Sequence, residues 1–331
     1  MFKHAHSHVS RRRLLTGVVA ATLAAGAAAG GASSATAASF DLVALVKGAS
    51  SGSTLTLNTG TYTLRDFGQA NHGVTLGKVG LKGAGVDKTI ITMAAYSSTK
   101  AGVVPKADYS TNPLYLAFTS GGTPGLSGFT LKGTAQGHLY NGLFVGAATN
   151  ARVSNVKISG VAGNKNYPPG ETFALNDWST SGSVYSNIRI DGGGTSAVDF
   201  GSNSSSNITV NSSTFTGTAY SSGMAMWQTT GITLNDITLK DNRSGINFER
   251  SGGTITINRP VLSNNRIYDF QFGTDRTGGT VKINNPVLAA GQKIRINCPL
   301  QYHGGTNGQK RSNIHVYVNG VDKTSTLVTY L

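Results

Sequence analysis

The chain reads as an all-β solenoid of short strands, and three observations predict it. First, Ser196-Ala-Val-Asp-Phe200, Gly223-Met-Ala-Met-Trp227, Gly245-Ile-Asn-Phe-Glu249 and Tyr268-Asp-Phe-Gln-Phe272 each alternate buried-type with exposed-type residues, at intervals of 26, 22 and 22. Second, the pairs Val210-Asn211, Leu234-Asn235, Ile257-Asn258 and Ile283-Asn284 recur 24, 23 and 26 residues apart. A third apolar position recurs at Phe215, Leu239, Val261 and Val287, after 24, 22 and 26 residues. Third, 44 glycines, 8 prolines and a charged fraction of only 13% describe a turn-rich chain. Alternation with period two is the strand signature. Three short strands per repeat mark a solenoid rather than a sandwich. Asparagine tolerates the left-handed backbone region, so an Asn at one turn of every coil can bend the chain and stack its amide on the next.

Taken in order, the N-terminus is set aside first. Ser10-Arg11-Arg12-Arg13-Leu14-Leu15 precedes an Ala/Gly/Val-rich run, and Ala35-Thr36-Ala37 offers a small-x-small cleavage site. This pattern resembles a bacterial twin-arginine export signal over residues 1–37. The run from Leu14 to Gly31 is too poor in strongly apolar residues to read as a membrane anchor. A secreted, extracellular protein with no membrane attachment after cleavage is therefore expected. Residues 38–331 keep 24 basic against 14 acidic residues, a net +10. Such a surface suits an anionic polymer, and no nucleic-acid motif accompanies it, so nucleic acid is not an expected partner. Cys298 is the only cysteine, which rules out an internal disulfide. One elongated domain, a monomer, is expected.

Phe40 to Lys47 places apolar residues on one helical face ahead of the first strands, and is read as the short helix that caps the raw apolar end of a solenoid. Thr54–Leu57, Gly60–Leu64, Leu81–Gly85 and Thr89–Thr92 alternate with glycine turns and are read as the first coils. The parallel β-helix is assigned to 38–290 and a strand-rich C-terminal cap to 291–331. That cap contains Lys293–Asn297, Asn313–Tyr317 and Thr326–Tyr330.

The Gly60-Thr-Tyr-Thr-Leu64 opening, Leu81-Lys-Gly-Ala-Gly85 and the coil ladder resemble the pectate-lyase-like, right-handed parallel β-helix superfamily over roughly residues 40–290. The resemblance implies that fold, with coils of about 22–27 residues. It also implies a set of activities on polysaccharides that spans lyases, glycoside hydrolases, epimerases and phage tailspikes. Pro168–Phe173 with Asn176-Asp177-Trp178 is similar to stretches of phage minor-tail β-helix proteins. The chain lacks the polygalacturonase residue set, the Asp-Pro-His motif of alginate epimerases and the acidic calcium cluster of pectate lyases. No catalytic residue is carried over from the resemblance.

Geometry must supply the site instead. Alternation turns Val198 and Phe200, Met224 and Met226, Ile246 and Phe248, and Tyr268 and Phe270 inward. One outward column is then Asp199, Ala225, Asn247 and Asp269, and a second is Gly201, Trp227, Glu249 and Gln271. Phe173 and Leu175 extend the inward rows, placing Asn176 in the second column with Asp177 at its edge. On coils about 4.8 Å apart, Glu249 and Asp269 fall roughly 5–7 Å from each other. Such a spacing fits the carboxylate pairs of glycosidases. Acids can equally decorate an exposed sheet, and Trp227 can equally be a packing residue. As a ligand group, Trp227 offers a sugar ring a flat apolar platform. Trp178, Tyr140 and His138 are expected to extend that platform from loops of earlier coils. The interval from Ile158 to Ile190 is long, so the loop from Gly160 to Pro169 must bulge, bringing Lys165, Tyr167, Glu171 and Asp177 over the face.

The expected catalytic residues are Asp199, Glu249, Asp269, Arg250 and Asp177. The expected substrate-binding residues are Trp227, Asn247, Gln271, Trp178, Asn176, Tyr167 and Lys165. Hydrolysis of an extended glycan by paired carboxylates is the leading reaction. The alternatives are β-elimination on a uronate polymer with Arg250 assisting, and a noncatalytic adhesion or tail-like protein. No metal or cofactor is expected, and calcium enters only under the lyase reading.

Overall fold

The structure, a computed structural model, describes residues 39–64, 73–93, 115–118, 125–133, 142–161, 173–192, 196–202, 205–217, 222–249, 253–272, 278–298, 301–302, 309–310 and 313–330. All of them fall in the compact unit Ala37–Leu331. The chain is a right-handed parallel β-helix with coils of about 26 residues. The expected Tat segment, residues 1–37, lies outside the described residues.

Two sheets carry the coils. A 10-stranded sheet holds the first strands, which include Phe173–Trp178, Ser196–Ser202, Ser222–Trp227, Ser244–Glu249 and Tyr268–Phe272, all paired in parallel. An 18-stranded sheet holds the other coil strands, and Gln301–Tyr302 and Gln309–Lys310 form a separate antiparallel pair. The middle coils cross the 18-stranded sheet as one long strand, Leu126–Lys132, Arg152–Ser159 and Val184–Asp191, whereas the coils before and after cross it as two short ones, such as Thr54–Thr56 with Gly60–Leu64 and Thr209–Asn211 with Thr214–Thr216. The segment read as a C-terminal cap adds strands to these same sheets: Ile296–Cys298 and Val328–Tyr330 join the first, and Asn313–Val318 joins the second.

The break within the second sheet explains the recurring asparagines. Asn235 Nδ2 donates to Asn211 Oδ1 at 2.9 Å, Asn258 to Asn235 at 2.7 Å and Asn284 to Asn258 at 2.8 Å. The amides stack as the repeat predicts. The bend itself falls one residue later, at Ser212, Asp236, Arg259 and Asn285, whose φ angles are 48°, 54°, 50° and 49°. The ladder asparagines stay extended because a strand position is what aligns their amides along the stacking axis.

Three register details differ from the sequence reading. Leu239 pairs with Leu262 and Leu262 with Leu288, so Val261 and Val287 point outward and Val287 is 53% exposed. Ile246 pairs with Phe270 and Phe248 with Phe272, so Tyr268 falls opposite Ser244 at the start of the strand, where it is half-buried, rather than opposite Ile246. Leu175 pairs with Val198 and Asp177 with Phe200, shifting that strand by two as well. At the N-terminal end, Phe40 belongs to the strand Ser39–Asp41 and stacks on Tyr62 at 5.1 Å. The capping helix is Leu42–Gly48, started by Asp41 Oδ1, which accepts the N–H groups of Val43 at 3.1 Å and Ala44 at 3.4 Å. Leu42 and Val43 bury into the core, as a cap requires.

The first strands Ser222–Trp227 and Ser244–Glu249 carry glycine at their second position for a steric reason. A Cβ at Gly245 would sit 2.4 Å from the Asp269 carbonyl oxygen, and one at Gly223 would sit 2.7 Å from Asn242 Nδ2. The corner leading into the first sheet is that tight because buried Asn242 and Asn265 fill it. Asn242 Nδ2 donates to the carbonyl of Phe215 at 3.1 Å, and Asn265 Nδ2 to that of Leu239 at 3.2 Å.

Candidate glycan-binding face of the first sheet

With the register corrected, the outward column runs Phe144, Asn176, Asp199, Ala225, Asn247, Gln271 and Asn297. Strand alternation places these side chains between the inward rows of Leu175, Val198, Met224, Ile246 and Phe270 on one side and Phe200, Met226, Phe248 and Phe272 on the other. Asn176 and Gln271 therefore move from the second column into the first. The column is polar yet secluded: Asn176 keeps 5% and Asp199 4% of its surface accessible. The Oδ1 atoms of Asn176 and Asn297 are buried without a hydrogen-bond partner.

A second column lies two residues further along each strand. Trp227 is in register with Glu249, and Trp178 ends its strand opposite Ser202, across a register shift after Asp177. Trp178 thus sits on a strand rather than in a loop. Both tryptophans are partly exposed. Each ends its strand three residues past a laddered apolar residue, on coils two apart and about 10 Å from each other at the usual strand spacing, with the one-residue register shift between them. Sequence reasoning missed this arrangement, since the two-residue shift at Phe173–Trp178 hid it. The signal was available in the tryptophans themselves, each three residues beyond an inward apolar residue that pairs in the ladder, Leu175 or Met224.

Two expected catalytic acids leave the face. Asp269 lies opposite Gly245, two residues short of the column, and is fully buried. Its carboxylate accepts Asn265 Nδ2 at 3.1 Å and the backbone N–H of Arg295 at 3.0 Å, with Arg295 Nε at 3.7 Å. That geometry locks a corner. The proposed Glu249–Asp269 pair therefore does not exist in register.

Asp177 faces the interior, in the row of Phe200. Its Oδ1 accepts the hydroxyls of Thr180 at 2.6 Å and Ser205 at 2.8 Å, and its Oδ2 accepts that of Tyr185. Burial pushes its carboxyl above the usual range, against the pull of those three hydroxyls. Burial also pushes the Tyr185 phenol well up, and the neighbouring Asp177 charge adds to it. A buried acid without a cation is tolerated here because hydroxyls from three positions converge on it.

The side chain of Glu249, and Arg250, Lys165, Tyr167, Glu171, His138 and Tyr140 entirely, lie outside the described residues. Among the described residues no three or more His, Cys, Asp or Glu side chains gather as a metal site. No helix among them is long and apolar enough to cross a membrane.

No family model matches the sequence, and no curated protein does. Solved structures do. The chain is similar to the A-module of the Azotobacter vinelandii mannuronan C-5 epimerase AlgE4, at 14% identity over 85% of this chain and 89% of that one, with a TM-score of 0.42. An alginate lyase from Paenibacillus sp. str. FPU-7 matches at 12% identity over 85% and 98%, with a TM-score of 0.47. The Streptococcus pneumoniae surface adhesin PfbA matches at 13% identity over 87% and 85%, with a TM-score of 0.46. At such identities the chemistry of the face rests on this chain's own residues. In fold, the chain is a right-handed parallel β-solenoid.

Proposed function

We propose that this protein is a secreted, polysaccharide-degrading enzyme that holds an extended glycan along the solenoid axis on the first-strand face. The observation that carries this reading is the placement of partly exposed Trp178 and Trp227 at the ends of two first strands, two coils apart, beside the polar column of Asn176, Asp199, Asn247 and Gln271. Partly exposed indole rings about 10 Å apart suit stacking on two sugars of one extended chain. The amides and Asp199 offer hydrogen bonds to sugar hydroxyls along the same axis. The acids left for hydrolysis are Asp199 and Glu249. They sit two coils and two residues apart, a Cα separation of about 12 Å. An inverting pair works with carboxyls roughly 6.5–9.5 Å apart, one acid protonating the leaving oxygen and the other activating water. Export with loss of residues 1–37 belongs to the same reading, and the mass of the mature chain from culture medium tests it.

A second reading, a noncatalytic glycan-binding protein, is favoured by the seclusion of the column, where Asp199 is only 4% accessible. A panel of neutral and acidic polysaccharides separates them. New reducing ends without ultraviolet absorbance indicate hydrolysis, and absorbing unsaturated ends indicate β-elimination. Retention of a glycan with release of neither indicates binding alone.

A further inference from the structure

On the second sheet, far along the chain, the asparagine ladder ends beside a cavity of about 530 Å³ lined by Thr254, Thr280, Lys282, Asn284, Tyr317 and Gly320. Its size falls within the usual range for small-ligand sites. We infer that this cavity is a second glycan subsite that binds an acidic sugar residue of a polyuronate, with Lys282 taking the carboxylate and Tyr317 the ring face. The inference rests on the reading that the protein acts on polysaccharides, but on none of the residues of the first-strand face.

The arrangement follows from register. Val281 and Ile283 face the core, so Lys282 between them points outward, as does Tyr317 between buried Val316 and half-buried Val318. Lys282 and Tyr317 are direct partners on adjacent strands, which brings the ammonium and the phenol ring to the same patch. Thr254 and Thr280 are partners in the next outward column and supply two hydroxyls. Asn284 closes the ladder: its Nδ2 is committed to Asn258 Oδ1 at 2.8 Å, and its own Oδ1 is left as an acceptor at the open end. The Asn319-Gly320 turn, with φ of 50° and 79°, reverses the chain into an antiparallel partner strand and forms one wall of the cavity.

The charges around it suit an anion. Lys282 is exposed and, among the described residues, takes part in no ion pair. His315 is exposed on the same strand as Tyr317, in register with Thr280. Among the described residues, the acid facing this strand is Asp322, opposite Tyr317, a carboxylate held ionised by its hydrogen bonds with Thr324 and offset by the nearby His315 and Lys282. An aromatic face, a cation and a few fixed polar groups around a cavity are what orient a charged sugar.

The test measures binding of polygalacturonate and of a neutral glucan to the full mature chain at low and high salt, with thermal melting as the check on folding. Lys282→Ala is expected to weaken polygalacturonate binding roughly tenfold at low salt, as loss of one charge-assisted hydrogen bond does. Lys282→Arg should restore it, and the neutral glucan should not respond to either. Tyr317→Ala should weaken both. Folded Lys282→Ala that binds polygalacturonate like the parent overturns the inference, as does a parent that ignores polygalacturonate. Trp227→Ala, run in parallel, keeps the two sites apart. An effect of Lys282 without one of Trp227 removes the first-strand reading and leaves this one, and the reverse result does the opposite.

Discussion

Tyr185 donates its hydroxyl proton to the Asp177 carboxylate inside the solenoid core, beneath the strand that ends in Trp178. Thr180 and Ser205 donate to the other carboxylate oxygen, so one acid ties two successive coils together. Such a cluster is costly to break halfway. Asp177→Ala strands three hydroxyls in the core and is expected to destabilise by about 3 kcal/mol, and Tyr185→Phe by about 1–2 kcal/mol, measured by chemical denaturation.

The same pair sets a pH dependence. Burial raises the Asp177 carboxyl in the folded chain above its value in the unfolded one. Its contribution to stability is therefore fully present below the unfolded value, and is lost as pH rises through the folded one. Compared with Asp177→Asn, whose amide does not titrate, the parent should lose ground as pH climbs from about 3 toward neutrality. Melting temperatures of the two proteins across that range check it. A difference that stays flat would mean the carboxyl titrates alike in both states.

The ladder gives a graded prediction. Asn258 donates to Asn235 and accepts from Asn284, whereas Asn284 only donates. At about 1 kcal/mol per hydrogen bond, Asn258→Ala should cost roughly 2 kcal/mol and Asn284→Ala roughly 1 kcal/mol. Denaturant midpoints at constant slope read the difference.

Gly245 separates sterics from composition. With a Cβ placed 2.4 Å from the Asp269 carbonyl oxygen, Gly245→Ala should cost about 1–3 kcal/mol. Gly48→Ala, where nothing lies within 4 Å, should be neutral or mildly stabilising, since it removes a glycine from a helix end. Both follow from melting curves.

The solenoid was legible because its period survives small errors, and the site was not, because a two-residue slip preserves strand alternation. Tyr268-Asp-Phe-Gln-Phe272 alternates equally well in either frame. Only the frame with Asp269 opposite Gly245 satisfies the tight corner. The strand Phe173–Trp178 failed for a different reason. Pattern reading put Asp177 outside, where acids belong, and had no access to the three hydroxyls that hold it inside. The one-residue slip at Val261 was avoidable. The spacing between second and third strands is constant, Val210 to Phe215, Leu234 to Leu239, Ile257 to Leu262 and Ile283 to Leu288, and it points to Leu262 and Leu288 as the core residues.

The corrected register also sorts Asp199, Glu249 and Asp269, and each has its own expected outcome if the chain hydrolyses a glycan. Asp199 stands in the outward column and Glu249 in the tryptophan column, so Asp199→Asn and Glu249→Gln should each lower turnover at least a hundredfold while leaving binding and melting temperature nearly unchanged. Asp269 holds Asn265 and the Arg295 N–H at a corner, so Asp269→Asn should lower the melting temperature by several degrees and leave turnover per folded molecule intact. Initial rates on the polysaccharide that the panel identifies, normalised to folded protein, distinguish the two patterns. If Asp269→Asn abolishes turnover in a fully folded protein while Asp199→Asn does not, the reaction centre lies at the corner of the coil rather than on the column that Asn176, Asp199 and Asn247 build.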